Sequence, residues 1–198
     1  ETLTRRVRLL SIEQITHIWW RRGDARRAAR RRLRRLAAAG LVIRTIVNTH
    51  PLLDVSEPLA TWSPGTGEPD FTDVSRQAKA RWRWPSVPSE VFYASRLAAN
   101  LYGSSAGQLP DLNHRDHDLL LGQVYLVFRA VRPAQARQWI GEDTRLKAGY
   151  RIKDPDAFLV DAAGEAVRII ESAGRYSASQ VESFHDHCVE HGLPYELW

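Results

Sequence analysis

The chain has 198 residues, a formal charge of +5, a hydrophobic fraction of 43%, seven tryptophans and one cysteine, which suits a globular protein of one medium or two small domains. The single Cys188 excludes an internal disulfide and any cysteine-rich zinc site and fits a reducing cytoplasm. No apolar run reaches the length of a membrane span, no signal-peptide pattern opens the chain, and no P-loop motif is present, so an integral membrane protein, a secreted protein and a P-loop ATPase are all disfavoured.

Taken in chain order, Thr2–Leu10 reads as a short helix or a strand-like lead-in. Ser11 followed by Gln14 is a capping box that opens a helix with Ile12, Ile15, Ile18 and Trp19 inward. After the turn Arg21-Arg22-Gly23, Asp24 is an N-cap candidate for a helix running to Ala39, with Gly40 as its terminating residue. Leu41–Val47 and Leu59–Ser63 read as two strands of a hairpin. Two helices joined by a tight turn and followed by a hairpin predict a winged helix-turn-helix, in which the second helix enters the major groove. The Pro-, Gly- and Thr-rich stretch 64–70 marks a boundary between a domain over residues 1–65 and another over 70–198.

The second helix carries the strongest functional signal. Nine arginines fall between Arg21 and Arg35, and Asp24 is the only acid between Gln14 and Asp54. Ala25, Ala28, Ala29, Leu33, Leu36 and Ala37 make one apolar face; Arg26, Arg27, Arg30, Arg31, Arg34 and Arg35 lie mostly opposite, and Arg32 sits near the edge of the stripe. Like charges four residues apart cost a few tenths of a kcal/mol each, so the run points to an anionic partner. Residues 1–50 hold 13 Lys/Arg and 3 Asp/Glu, a net of +10, and the remainder holds 15 and 20, a net of −5. The expected DNA contacts are Arg21, Arg22, Arg26, Arg27, Arg30, Arg31, Arg34 and Arg35, with double-stranded DNA as the partner.

Beyond the boundary, Phe71–Trp82 reads as a helix whose end interleaves Arg81, Trp82, Arg83 and Trp84; packing is the favoured role of these tryptophans, base stacking the alternative. Val87–Ser95 reads as a strand and Asp116–Arg129 as a helix with Leu119, Leu120, Val124, Val127 and Phe128 buried. Arg137–Gly141 reads as a short strand, and Asp156–Asp161 and Ala166–Glu171 as a hairpin. Ser177 and Gln180 form a second capping box before a helix with Val181, Phe184, Cys188 and Val189 at core spacing, and Leu193–Trp198 closes as a strand. The order predicts an α/β (α+β) fold with a small mixed sheet.

In that hairpin Asp156 and Glu171 lie side by side, and two carboxylates with several waters make a set that Mg²⁺ accepts. An acid on the preceding helix, Asp118 or Asp116, is a further candidate ligand. His114-Arg115-Asp116-His117-Asp118 otherwise reads as a polar helix start with acids near the N-terminal dipole, and His185-Asp186-His187 as an outward face of the last helix. The layout resembles the PD-(D/E)xK restriction-endonuclease core, Pro-Asp on one strand and acid-x-Lys on the next. This chain departs from it at Ala173, where the lysine belongs. Arg175 is a poor proton acceptor, and Lys147 and Lys153 are the amines that a displaced lysine would draw on. The domain therefore reads as nuclease-like with catalysis lost, the alternative being a Mg²⁺-dependent endonuclease or nickase using Asp156 and Glu171.

The arginine run through LAAAGLV, the strands around Pro155-Asp156 and Glu171, and the tail from Gly174-Arg175-Tyr176 to Pro194–Trp198 together resemble the replication-relaxation family of bacterial plasmids and other mobile elements. The resemblance spans nearly the whole chain. It implies a winged helix joined to a restriction-endonuclease-like domain and DNA handling in replication or transfer. A winged-helix regulator whose second domain binds a ligand or protein is a third reading, and a homodimer on two half-sites is plausible for the fold. Methionine is absent even at position 1, so the numbering is expected to begin inside a longer gene product.

Overall fold

In the computed structural model, which describes residues 1–20, 23–51, 55–144 and 155–198, the chain begins with a π-helical turn (Thr2–Arg6), strand β1 (Leu9–Ser11) and helices α1 (Ile12–Trp19) and α2 (Ala25–Ala38). Ser11 and Gln14 cap α1 reciprocally, each side chain serving the other's amide. Asp24 accepts from the Arg27 N–H at 3.1 Å and starts α2. Gly40 ends that helix at φ 70°, which lets the amides of Gly40 and Leu41 return to the carbonyls of Ala37 and Leu36, a closure that favours glycine.

Strands β2 (Val42–Thr49) and β3 (Ala60–Trp62), helix α3 (Phe71–Ala80), strand β4 (Val87–Ala94) and helix α4 (Arg96–Tyr102) follow. Next come α5 (Arg115–Val131), α6 (Pro133–Gln138), β5 (Trp139–Gly141), a 3-10 turn (Glu142–Thr144), β6 (Ala157–Val160), β7 (Ala166–Glu171), α7 (Ala178–Glu190) and β8 (Tyr195–Leu197). The fold is mixed α and β, and no helix among the described residues is long and apolar enough to cross a membrane.

Two sheets organise these elements. One is antiparallel, in the order β1-β4-β2. Its long ladder runs from Val42↔Ala94 to Thr49↔Val87, so β2 finds its partner in residues 87–94 and not in the 59–63 segment expected from sequence. That segment instead pairs antiparallel with β8, where Trp62 stacks on Tyr195 with ring centroids 5.9 Å apart. The physical reason is length and burial: β4 matches all eight residues of β2, whereas β3 has three and gains a buried place for Trp62 in the other sheet. The division expected at 64–70 therefore does not separate the sheets, because β3 and β4 each pair with strands on its other side.

The second sheet runs β3-β8-β7-β6-β5, with β7 and β8 parallel and the other pairs antiparallel. Strand alternation sends Ala157, Leu159, Ile170 and Trp198 to one face, where they meet Val124, Tyr125 and Phe128 of α5. Ile169, Tyr195 and Leu197 go to the other face, against Val181, Phe184 and Cys188 of α7 and Val74 and Ala78 of α3. The result is a sheet covered by helices on both sides.

The first of these cores also contains Leu10, Ile12, Ile15, Ala29, Leu33 and Phe92, so the amino-terminal helices and the carboxy-terminal layers share one apolar interior. A smaller cluster of Leu9, Val47, Val91 and Leu119 packs the other face of the antiparallel sheet on α5. Gln14 donates to the Leu119 carbonyl at 2.8 Å across this junction. On α7 the inward positions are Val181, Phe184, His185 and Cys188; Val189, expected in the core, is 46% exposed. His185, expected to face outward, is buried against Trp62 and Phe71 with its Nδ1 3.1 Å from the Tyr195 hydroxyl, because it lies one turn beyond Val181 on the same face.

Candidate functional site

Helix α2 docks through Ala29 and Leu33 and leaves Arg26, Arg27, Arg30, Arg31, Arg32, Arg34 and Arg35 exposed. Arg32, near the edge of the stripe by periodicity, is on the open side as well. The ridge is not uniform. Arg26 pairs with Glu13 at 2.9 Å, and Arg30 shares Glu90 with Arg44 of β2, each at 2.6 Å. Burial would raise the Glu90 carboxyl, but Arg44 and Arg30 outweigh it and hold it below the ordinary range. Arg27, Arg31, Arg34 and Arg35 make no ion pair among the described residues. Arg21 and Arg22 lie outside the described residues, as do Lys147, Lys153 and Asp154.

The two hairpin acids come together. The register Ala157↔Ile170 carries one step further to set Asp156 beside Glu171. The Asp156 amide donates to Glu171 Oε2 at 3.3 Å, the Ser172 amide donates to Asp156 Oδ2 at 2.7 Å, and the Tyr176 hydroxyl donates to Glu171 Oε1. Both acids are buried. Burial and the Glu171 charge push the Tyr176 phenol well above its usual range, so it stays a donor.

Helix α5 adds Asp118, a further candidate ligand from sequence, and His117, which the sequence places in a polar helix start. Asp118 is buried, and His117 is wedged between it and the hairpin, with Nδ1 3.3 Å from Asp118 Oδ1 and Nε2 2.9 Å from Asp156 Oδ2. Burial alone would lower the imidazole; the carboxylates of Asp156 and Asp118 outweigh it and push it up to about 11, so His117 is an imidazolium at neutral pH. Asp118 Oδ2 is buried with no hydrogen-bond partner. Such an atom costs about 1–3 kcal/mol or more when left unmade.

Next to this group, Arg8 bridges Glu142 at 2.7 Å and Asp143 at 2.7 Å at the end of β5. Burial is the main reason Glu142 is raised to about 7, with Arg8 opposing it and the neighbouring acids adding to it. Opposite, the end of β2 brings His50 to Asp116 on α5. The His50 amide donates to Asp116 Oδ1 at 2.6 Å, and Nδ1 lies 2.7 Å from Oδ2. Arg175 Nη2 reaches His50 Nε2 at 3.4 Å, and the Trp82 ring meets the imidazole edge-on at 5.5 Å. All these groups line one cleft of about 1200 Å³.

No protein-family model, curated protein or solved structure matches this chain. The site therefore stands on its own geometry.

Among the described residues no set of three or more His, Cys, Asp or Glu stands in metal-ligand arrangement. What the cleft does offer is hard oxygen donors on Asp118, Asp156 and Glu171, one of them an uncommitted buried oxygen. That chemistry suits Mg²⁺, which keeps several waters and takes one or two carboxylates. At the lysine position of the nuclease pattern, Ala173 is completely buried against the α7 side of the sheet, a place where an ammonium has no partner. Of the interleaved tryptophans, Trp82 packs and donates its indole N–H to the Gly174 carbonyl at 2.7 Å, whereas Trp84 is 69% exposed. His50, Arg8, Glu142 and Asp143 were not singled out by the sequence reading; the adjacent acids after a short strand were the only local signal.

Proposed function

We propose that the chain is a DNA-binding protein in which α2 is the recognition helix of a winged helix, joined to a restriction-endonuclease-like half that presents an acidic cleft. The observation that carries this reading is the open row of Arg27, Arg31, Arg34 and Arg35, unpaired among the described residues and on the solvent side of a capped helix. The order of β1, α1, α2, β2 and β4, with β4 between β1 and β2, supports a winged helix. The run α5, α6, β5, β6, β7, α7, β8, with acids at the β6–β7 end, supports the nuclease-like half. The sequence resemblance to the replication-relaxation family adds the setting, a plasmid or other mobile element. Charge reversal of Arg27, Arg31 and Arg34 sharply weakens duplex binding and leaves the melting temperature within a few degrees of wild type; a variant that still binds normally removes α2 from the interface.

A second reading, phosphodiester cleavage with Mg²⁺, is favoured by the juxtaposed carboxyls of Asp156 and Glu171, in a cleft that Asp118 also lines. When bound there, the ion would supply polarisation of the phosphate and activation of water. Asp156 and Glu171 would hold it. Ser172 N–H and Tyr176 O–H orient Asp156 and Glu171, and Arg175 offers a guanidinium to the substrate phosphate. Conversion of supercoiled plasmid in Mg²⁺ or Mn²⁺, lost in Glu171→Gln, is the expected result; no activity on duplex or single-stranded forms at high protein concentration rejects it.

A further inference from the structure

The buried Ala173 leaves the cleft without the amine of the acid-x-Lys pattern, yet a different proton acceptor stands on its rim. Asp116 is held by two donors from one residue, the backbone N–H of His50 and its ring nitrogen Nδ1, at 2.6 and 2.7 Å. An ionised carboxylate only accepts, so the ring proton sits on Nδ1 and the lone pair of Nε2 points away from Asp116. Nε2 is met there by Arg175, four residues past Glu171, at 3.4 Å. His50, Asp116, Arg175, Asp156 and Glu171 line the same cleft. A carboxylate that fixes the orientation of an imidazole is the arrangement a general base requires; here the other nitrogen is covered by Arg175, so the guanidinium must swing to the phosphate before Nε2 takes a proton.

We infer that His50 is the general base of this cleft, positioned by Asp116, with a nucleic-acid phosphodiester held by Arg175 as its substrate; this rests on the phosphodiester-cleavage reading. A water lying between Nε2 and the phosphorus gives its proton to Nε2 as its oxygen forms the new P–O bond. The bond from phosphorus to the ester oxygen breaks with its electron pair going to that oxygen. The imidazolium then releases its proton to solvent and a solvent water protonates the departing oxygen on the opposite side of phosphorus, so one phosphodiester and one water become a phosphomonoester and an alcohol, with His50 regenerated. The Trp82 edge and the backbone donor to Asp116 keep the ring from turning.

The full-length protein with Mn²⁺ and labelled duplex and single-stranded oligonucleotides provides the test. His50→Ala lowers kcat by about a hundredfold or more, leaves oligonucleotide affinity within about twofold, and regains activity with added imidazole; Glu171→Gln is not rescued. Nitrogen-15 histidine spectra of the free protein show the His50 proton on Nδ1 in wild type and its loss from Nδ1 in Asp116→Asn. Wild-type cleavage with undiminished turnover in His50→Ala overturns the inference while leaving the cleavage reading intact. Restoration by His50→Gln, without imidazole rescue of His50→Ala, reduces the residue to a structural role and overturns it too, as does a proton found on Nε2. A wild-type protein that cuts no substrate removes both.

Discussion

At His117 the cost of burying an imidazolium is outweighed by Asp156 and Asp118, and the proton becomes part of the fold. The folded value of about 11 lies above the ordinary 6.5. The stability it contributes is fully present below 6.5 and is lost as pH rises through about 11. Glu142 acts in the same direction at lower pH: its contribution is present below 4.5 and lost as pH rises through about 7. Urea unfolding of wild type and His117→Gln across the alkaline range should show a stability gap that narrows as pH rises. A gap of constant size removes the ion triad from the account. Only part of this was legible: Asp118 stands out as a candidate ligand, but His114–Asp118 also has the composition of a solvated helix start, and it is Asp156, just before β6, that draws His117 into an ion triad with the buried Asp118. The pairing of Asp156 with Glu171 was legible, because a tight hairpin fixes which strand ends meet.

At the scale of elements, local signals and long-range pairing divide sharply. Both capping boxes, the Asp24 cap and the Gly40 terminus form where the sequence places them, since each is settled within four residues. The partner of β2 is not settled locally, because 37 intervening residues separate Thr49 from Val87 and carry β3 and α3 into the other sheet. Short α4 and α6 have too few turns for a readable periodicity. The close approach of α5 to β1 offers a test. A Cβ at Gly122 would meet Leu10 Cδ2 at 2.9 Å and the Leu9 carbonyl at 3.0 Å. Helix propensity alone makes Gly→Ala stabilising by about 1 kcal/mol, and overpacking a tight contact costs about 1–3 kcal/mol. Gly122→Ala should therefore be destabilised by up to about 2 kcal/mol in chemical denaturation; a stabilised variant shows that the contact is loose.

For the molecule as a whole, the shared core makes the binding helix and the acidic cleft parts of one mechanical unit. Leu10, Ile12, Leu33 and Phe92 pack in the same interior as Phe128, Trp139 and Trp198, so neither half keeps its apolar face covered alone. Thermal and urea unfolding followed by tryptophan fluorescence and by circular dichroism should coincide in one transition, and a fragment of residues 1–65 should not fold, because it lacks β4. Two separable transitions contradict this. The charge division read from sequence is kept only in part: the α2 arginines are exposed and Asp118, Glu142, Asp143, Asp156 and Glu171 line the cleft, but Glu90 pairs with Arg30 and Arg44, and Arg8 sits among the cleft acids.

The salt dependence of duplex binding tests the central claim most directly. With four to six phosphates neutralised, log K against log salt should fall with a slope of about −4 to −5, and reversal of Arg27, Arg31 and Arg34 should flatten it by about 3. A slope near zero in the wild type, or one unchanged by the reversal, would contradict the assignment of α2 as the DNA-contacting helix.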